Sequence, residues 1–87
     1  MPHCIIDYSQ DVAAEVDIER LIEAVHLGAM DSGLFPEYDI KTRAIAFAQH
    51  RTGQTTDSFV HVAVHLLSGR SDEQKINLSE GILARIE

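Results

Sequence analysis

Asp17-Ile-Glu-Arg-Leu-Ile-Glu-Ala-Val-His-Leu-Gly-Ala-Met30 lies between two stretches of a different rhythm, PHCIIDY at residues 2–8 and IKTRAIAFAQH at residues 40–50. In the middle run Ile18, Leu21, Ile22, Val25 and Ala29 recur at the spacing of one helical face. Asp17 is placed to cap the first turn, and the acidic Glu19 suits the positive end of the helix dipole. Gly33 predicts the stop, with Pro36 just beyond it. The flanking runs are short and partly β-branched, and the first ends in the polar SQD, so both read as strands. A helix of this length between two strands is the kind of crossover that a parallel pair requires.

Further along the chain, Arg51-Thr-Gly-Gln-Thr-Thr-Asp57 reads as a polar loop, and its shortness predicts a hairpin to the next strand. That strand is SFVHVAVHLL, residues 58–67. Strict alternation puts Val60, Val62, Val64 and Leu66 on one face and Phe59, His61, Ala63, His65 and Leu67 on the other. Ser68-Gly69 breaks the run. Ser71, with Gln74 three residues on, forms a capping box that opens a second helix. Its apolar stripe is read as Ile76, Leu83 and Ile86, joined by Ile82. The expected fold is α+β, one β-α-β sheet with two helices on one face and a second β-α-β unit left incomplete. The face bearing His61, Ala63 and His65 is neither clearly polar nor clearly apolar, which suits packing on another subunit.

The chain has 87 residues, which fits one domain over 1–87. Apolar residues make up 45% and charged residues 24%, an ordinary globular balance that argues against disorder or coiled coil. Seven basic against fourteen acidic residues give a net charge of −7, which disfavours a nucleic-acid or anionic-membrane partner. No apolar run approaches the roughly 18 residues of a membrane span. The start MPHCIIDYSQD lacks the basic n-region of a signal peptide, so a cytoplasmic protein is expected. A single cysteine, Cys4, forms no intramolecular disulfide and no CxxC motif, and its place in a strand predicts a buried small residue.

Two groups of residues could carry chemistry. Pro2 follows the initiator, and removal of Met1 would expose a secondary amine at the head of a strand. An α-amino group titrates near 7.7–8.0, and apolar burial or nearby cations bring it about to neutrality, where a general base works best. Lys41 and Arg43, two apart on a strand, point to one face, and Arg70 stands in the turn before the second helix. Three cations at strand ends could hold carboxylates. His61 and His65 do not share a metal, since four strand residues separate them by about 13 Å. No Walker or dinucleotide fingerprint occurs, and no metal or cofactor is expected.

MPHCIIDYSQD, LFPEYDIKTR and FVHVAVHLLSGRS, in this order and at these separations, resemble the 5-carboxymethyl-2-hydroxymuconate isomerase family of the tautomerase superfamily. The likeness rests on Met-Pro-His at the start, Gly33-Leu34-Phe35-Pro36, Phe59-Val60-His61 and Gly69-Arg70-Ser71. It implies two β-α-β units assembled as a homotrimer. It also implies a cofactor-free 1,3-proton shift in an unsaturated 2-oxo dicarboxylate, in catabolism of homoprotocatechuate. Pro2 would be the base, with Arg43, Arg70 and Lys41 on the carboxylates. Lys41 stands where the family usually has Arg, keeping the charge but not the bidentate fork. The family's chain also continues through a longer second helix into a further strand. Two other expectations stay open: a tautomerase for another 2-oxo acid, and a non-catalytic binding or structural subunit.

Overall fold

The computed structural model describes residues 2–86. The elements are β1 (His3–Ser9), α1 (Ile18–Asp31), β2 (Lys41–Phe47), β3 (Val60–His65) and α2 (Asp72–Ile86). Short 3-10 turns at Gln10–Ala14 and Glu37–Asp39 supplement them. The expected caps form. Asp17 Oδ1 accepts the Glu19 amide at 3.0 Å, and Gly33 adopts φ 71° just past the end of α1, where a Cβ would be strained. At the head of α2, the Ser71 amide donates to Gln74 Oε1 at 2.9 Å and the Gln74 amide to Ser71 Oγ at 3.1 Å.

The sheet order is β2-β1-β3, with β1 parallel to β2 and antiparallel to β3. The expected hairpin between β2 and β3 is therefore wrong. The most buried strand takes the centre, with Cys4 and Ile6 fully enclosed, while the mixed strands flank it. The connection is a structured loop and not a tight turn. Thr52 and Thr55 exchange backbone hydrogen bonds at 2.8 and 3.1 Å, and both His50 and Thr52 side chains bond the Asp57 carbonyl. The loop then passes the far end of β1, where Ser9 and Phe59 hydrogen-bond through the Ser9 amide and hydroxyl.

Both helices cover the face that carries Cys4 and Ile6. The core is Cys4, Ile6, Leu21, Val25, Ala29, Ile40, Leu78 and Ile82, with Val62, Val64 and Ala44 packed against it. The stripe expected on α2 holds at Ile82 and Ile86, which meet the core, and is corrected elsewhere. Leu78 and Ile82 are its buried residues, four apart, whereas Ile76 and Leu83 are more than half exposed. The reason is the helix crossing. A Cβ on Gly28 would lie 2.5 Å from the Ile82 Cα, so the two backbones touch there and fix which side of α2 faces inward. Arg85 adds a two-pronged bond to Asp31 at 2.7 and 3.0 Å.

The opposite face of the sheet carries three cross-strand rows: Lys41–His3–His65, Arg43–Ile5–Ala63 and Ile45–Asp7–His61. Beside β3, a groove of about 400 Å³ runs against α2, lined by Val60, Val62, Val64, Ile82, Leu83 and Ile86 among others. The outer edge of β3 has no strand partner among the described residues. No helix is long and apolar enough to cross a membrane among those residues.

Candidate active site

Parallel pairing brings the head of β1 beside the head of β2, and antiparallel pairing brings the tail of β3 to the same end. The turn that closes α1 leads into β2 there as well. One end of the sheet thus collects Pro2, Lys41, Arg43 and Arg70 from three separate stretches of chain.

Pro2 is fully buried, immediately before β1, and its carbonyl accepts the Lys41 amide at 3.0 Å. By alternation it points to the helix-covered side, with Cys4 and Ile6. The expected processing to a chain beginning at Pro2 concerns Met1, which lies outside the described residues. Lys41 and Arg43 point to the opposite, open face and are exposed. Lys41 Nζ turns back to donate to the Tyr38 carbonyl at 2.7 Å. Arg43 Nη1 donates to His3 Nδ1 at 3.4 Å. Within one chain, then, these two cations share a face that Pro2 does not.

Arg70 lies five residues past the end of β3, half-buried, in the turn that Gly69 opens with φ 108°. Its guanidinium sits over the Phe35 ring, 5.1 Å from the centroid, and Nη2 donates to the Leu34 carbonyl at 3.3 Å. Two sequence stretches singled out separately, Gly33-Leu34-Phe35-Pro36 and Gly69-Arg70-Ser71, meet in this contact. The ring contact and the carbonyl bond together restrain the guanidinium and leave further N–H groups as possible donors. The sequence reading missed His3 as a member of this end. Only strand register places it between Lys41 and His65.

Cys4 is fully buried, and burial pushes its thiol above the ordinary range, which makes it inert packing. At the other end of the sheet Asp11 accepts a hydrogen bond from Ser58, which holds its carboxyl below the usual carboxylate range.

A mixed three-stranded sheet under two packed helices is a tautomerase-like α+β fold. The chain belongs to the 5-carboxymethyl-2-hydroxymuconate isomerase family, a family of enzymes whose model matches residues 2–87. It is 28% identical over 89 aligned positions to a 5-carboxymethyl-2-hydroxymuconate Delta-isomerase of Escherichia coli, covering all of this chain and 71% of that protein. Its fold matches the crystal structure of a 5-carboxymethyl-2-hydroxymuconate isomerase from Deinococcus radiodurans with a TM-score of 0.84 at 21% identity, over 98% of this chain and 66% of that one. A second structure, of a 5-carboxymethyl-2-hydroxymuconate delta-isomerase, matches with a TM-score of 0.84 at 19% identity, over 99% of this chain and 68% of that one. The chain thus spans about two thirds of the length of these structures.

Proposed function

We propose that this chain is an isomerase that moves a proton along the conjugated system of an unsaturated 2-oxo di- or tricarboxylic acid, of the 5-carboxymethyl-2-hydroxymuconate type. The observation that carries the reading is Pro2, enclosed at the sheet end where three cations gather. Freed of Met1, the proline nitrogen is a secondary amine. An apolar surround disfavours its ammonium form and leaves a lone pair ready near neutral pH. That nitrogen takes a proton from one carbon of the substrate and returns it to another two bonds away. Negative charge grows on the carbonyl oxygen in between, and a fixed cation there stabilises the transition state more than the ground state. Arg70 is the best-fixed candidate. Arg43 and Lys41 are the candidates for the carboxylates. Side-chain and terminal groups suffice for such a shift, so no cofactor enters this reading.

We further propose a homotrimer. Pro2 and the pair Lys41 and Arg43 lie on opposite sides of one sheet, so a neighbour's open face could supply the cations that one chain does not bring to its own proline. A second reading, a tautomerase for a different 2-oxo acid, is favoured by Lys41. Its ammonium gives one of its three donors to the Tyr38 carbonyl and lacks the bidentate fork that an arginine would offer a second carboxylate.

The test is steady-state kinetics on an unsaturated 2-oxo dicarboxylate and its monocarboxylate analogue, with intact mass on the same preparation. Turnover by protein that begins at Pro2, and its near-complete loss in Pro2→Ala with the fold retained, is the expected result. Full activity in Pro2→Ala, or in protein that retains Met1, would show that the base lies elsewhere. Preference for the monocarboxylate would select the second reading.

A further inference from the structure

We propose that His3 is a positioning residue: its imidazole holds the Arg43 guanidinium in place for substrate, and releases it when the ring takes up a proton. The inference rests on the reading above, in which Arg43 binds a carboxylate. Arg43 sits on an edge strand and is exposed, and its long side chain has many rotamers to choose from. His3 is on the central strand, half-buried, with a short and stiffer side chain. Its direct cross-strand partners are Lys41 and His65, and Arg43 is the diagonal neighbour, within reach of a long side chain.

The contact has a definite sense. A guanidinium only donates, so at 3.4 Å His3 Nδ1 is the acceptor. That requires a neutral ring with its proton on Nε2. Protonation of Nδ1 removes the acceptor and sets a new positive charge beside Arg43. The charged and titratable groups facing His3 are Lys41 and Arg43 from β2, His65 and more distantly His61 from β3, and Asp7 further along β1. The cations are the near ones, so a protonated His3 repels Arg43. The device would make carboxylate capture weaken on mild acidification through geometry, although the total positive charge of the site increases.

Three measurements test it. First, ¹⁵N–¹H spectra of the imidazole in the wild-type protein at pH 7.5 should show Nδ1 unprotonated and Nε2 protonated; a proton on Nδ1 overturns the proposal without any variant having to fold. Second, His3→Leu, which has no acceptor, should raise KM for the 2-oxo dicarboxylate about five- to tenfold at pH 7.5, with kcat changed less. His3→Asn, whose side-chain oxygen can stand near the Nδ1 position, should recover most of that loss. Equal KM in the two variants overturns it. Third, between pH 7.5 and 5.5 the ratio of kcat/KM for wild type to that for His3→Asn should fall severalfold, since only the wild type loses its acceptor. Titration of the proline affects both proteins and cancels in the ratio, so a flat ratio also overturns the proposal. Arg43→Ala separates the two levels of the argument. If it leaves KM unchanged, Arg43 is no carboxylate ligand and both readings of that residue fail. If it raises KM while the His3 variants behave alike, Arg43 stands and only the role of His3 falls.

Discussion

Arg70 illustrates how much one side chain owes to its surroundings. Its guanidinium lies over the Phe35 ring and donates to the Leu34 carbonyl, so as a candidate site residue it is already oriented. Removing one pre-aimed donor of this kind typically costs on the order of 10²–10³ in rate. Arg70→Ala should lower kcat/KM by that much with an unchanged thermal midpoint, and Arg70→Lys should recover little, because an ammonium neither stacks flat nor forks. Loss of activity matched by loss of fold would instead mark Arg70 as a structural pin for the Phe35 turn. Lys41→Arg should be neutral or raise turnover of the dicarboxylate over the monocarboxylate, since it restores a bidentate fork where one amine is now engaged by Tyr38. Equal selectivity in both proteins would remove position 41 from the site. Pro2, Lys41, Arg43 and Arg70 could be nominated as candidates from the sequence because each sits in a recognisable local pattern. His3 could not, because its partners come from strands about 40 and 60 residues away, and no local spacing encodes register.

Among the elements, the helices were the most legible. Their apolar period and their capping residues agree with one another, and both N-termini fall where Asp17 and Ser71 place them. The inward stripe of α2 was only half legible, at Ile82 and Ile86. It is set by the contact of Gly28 with the Gly81–Ile82 backbone, which involves no hydrophobic signal at all. Gly28→Ala should therefore destabilise the fold by about 1–3 kcal/mol in urea, the usual cost of forcing extra volume into a packed contact. Gly81→Ala, whose Cβ would stand 3.2 Å from the Gly28 carbonyl, should cost less. A neutral Gly28→Ala would mean the helices part easily. The helices are also joined by Asp31 and Arg85, and the Arg85 guanidinium holds the Asp31 carboxyl below the usual carboxylate range. A carboxyl with a lowered folded-state pKa stabilises the fold above its unfolded value, and that contribution is lost as pH falls through the folded value. Arg85→Ala should thus be less stable than wild type at pH 7, with the gap closing as the medium is acidified below about pH 4. A gap independent of pH would assign the effect to lost packing. The hairpin expected between β2 and β3 failed for a related reason: a short polar loop suggests adjacency, but burial demanded that the all-apolar-faced β1 lie between them.

At the scale of the whole molecule, the open sheet face carries Ile5, Ala63, Ile45 and Phe47 among its charges, and the last two are 46% and 40% exposed. Light scattering at micromolar concentration should give the mass of three chains, and a monomer would remove the argument that a neighbour's cations serve Pro2. The expectation of self-association was available from the sequence, because the mixed face shows in the alternation of His61, Ala63 and His65. Which strand edges stay open was not, since that follows from strand order. β3 presents one such edge, Val60-His-Val-Ala-Val-His65, with no proline, lysine or bulge to discourage a further strand. At neutral pH the net charge of −7 opposes aggregation beyond the specific assembly. That repulsion vanishes near the isoelectric point of about 5.0, where this edge, unpaired among the described residues, should be most prone to seed fibrillar aggregation. Handling near that pH would turn the molecule's least guarded strand into a seed, and a single lysine in place of His61 would be the simplest gatekeeper.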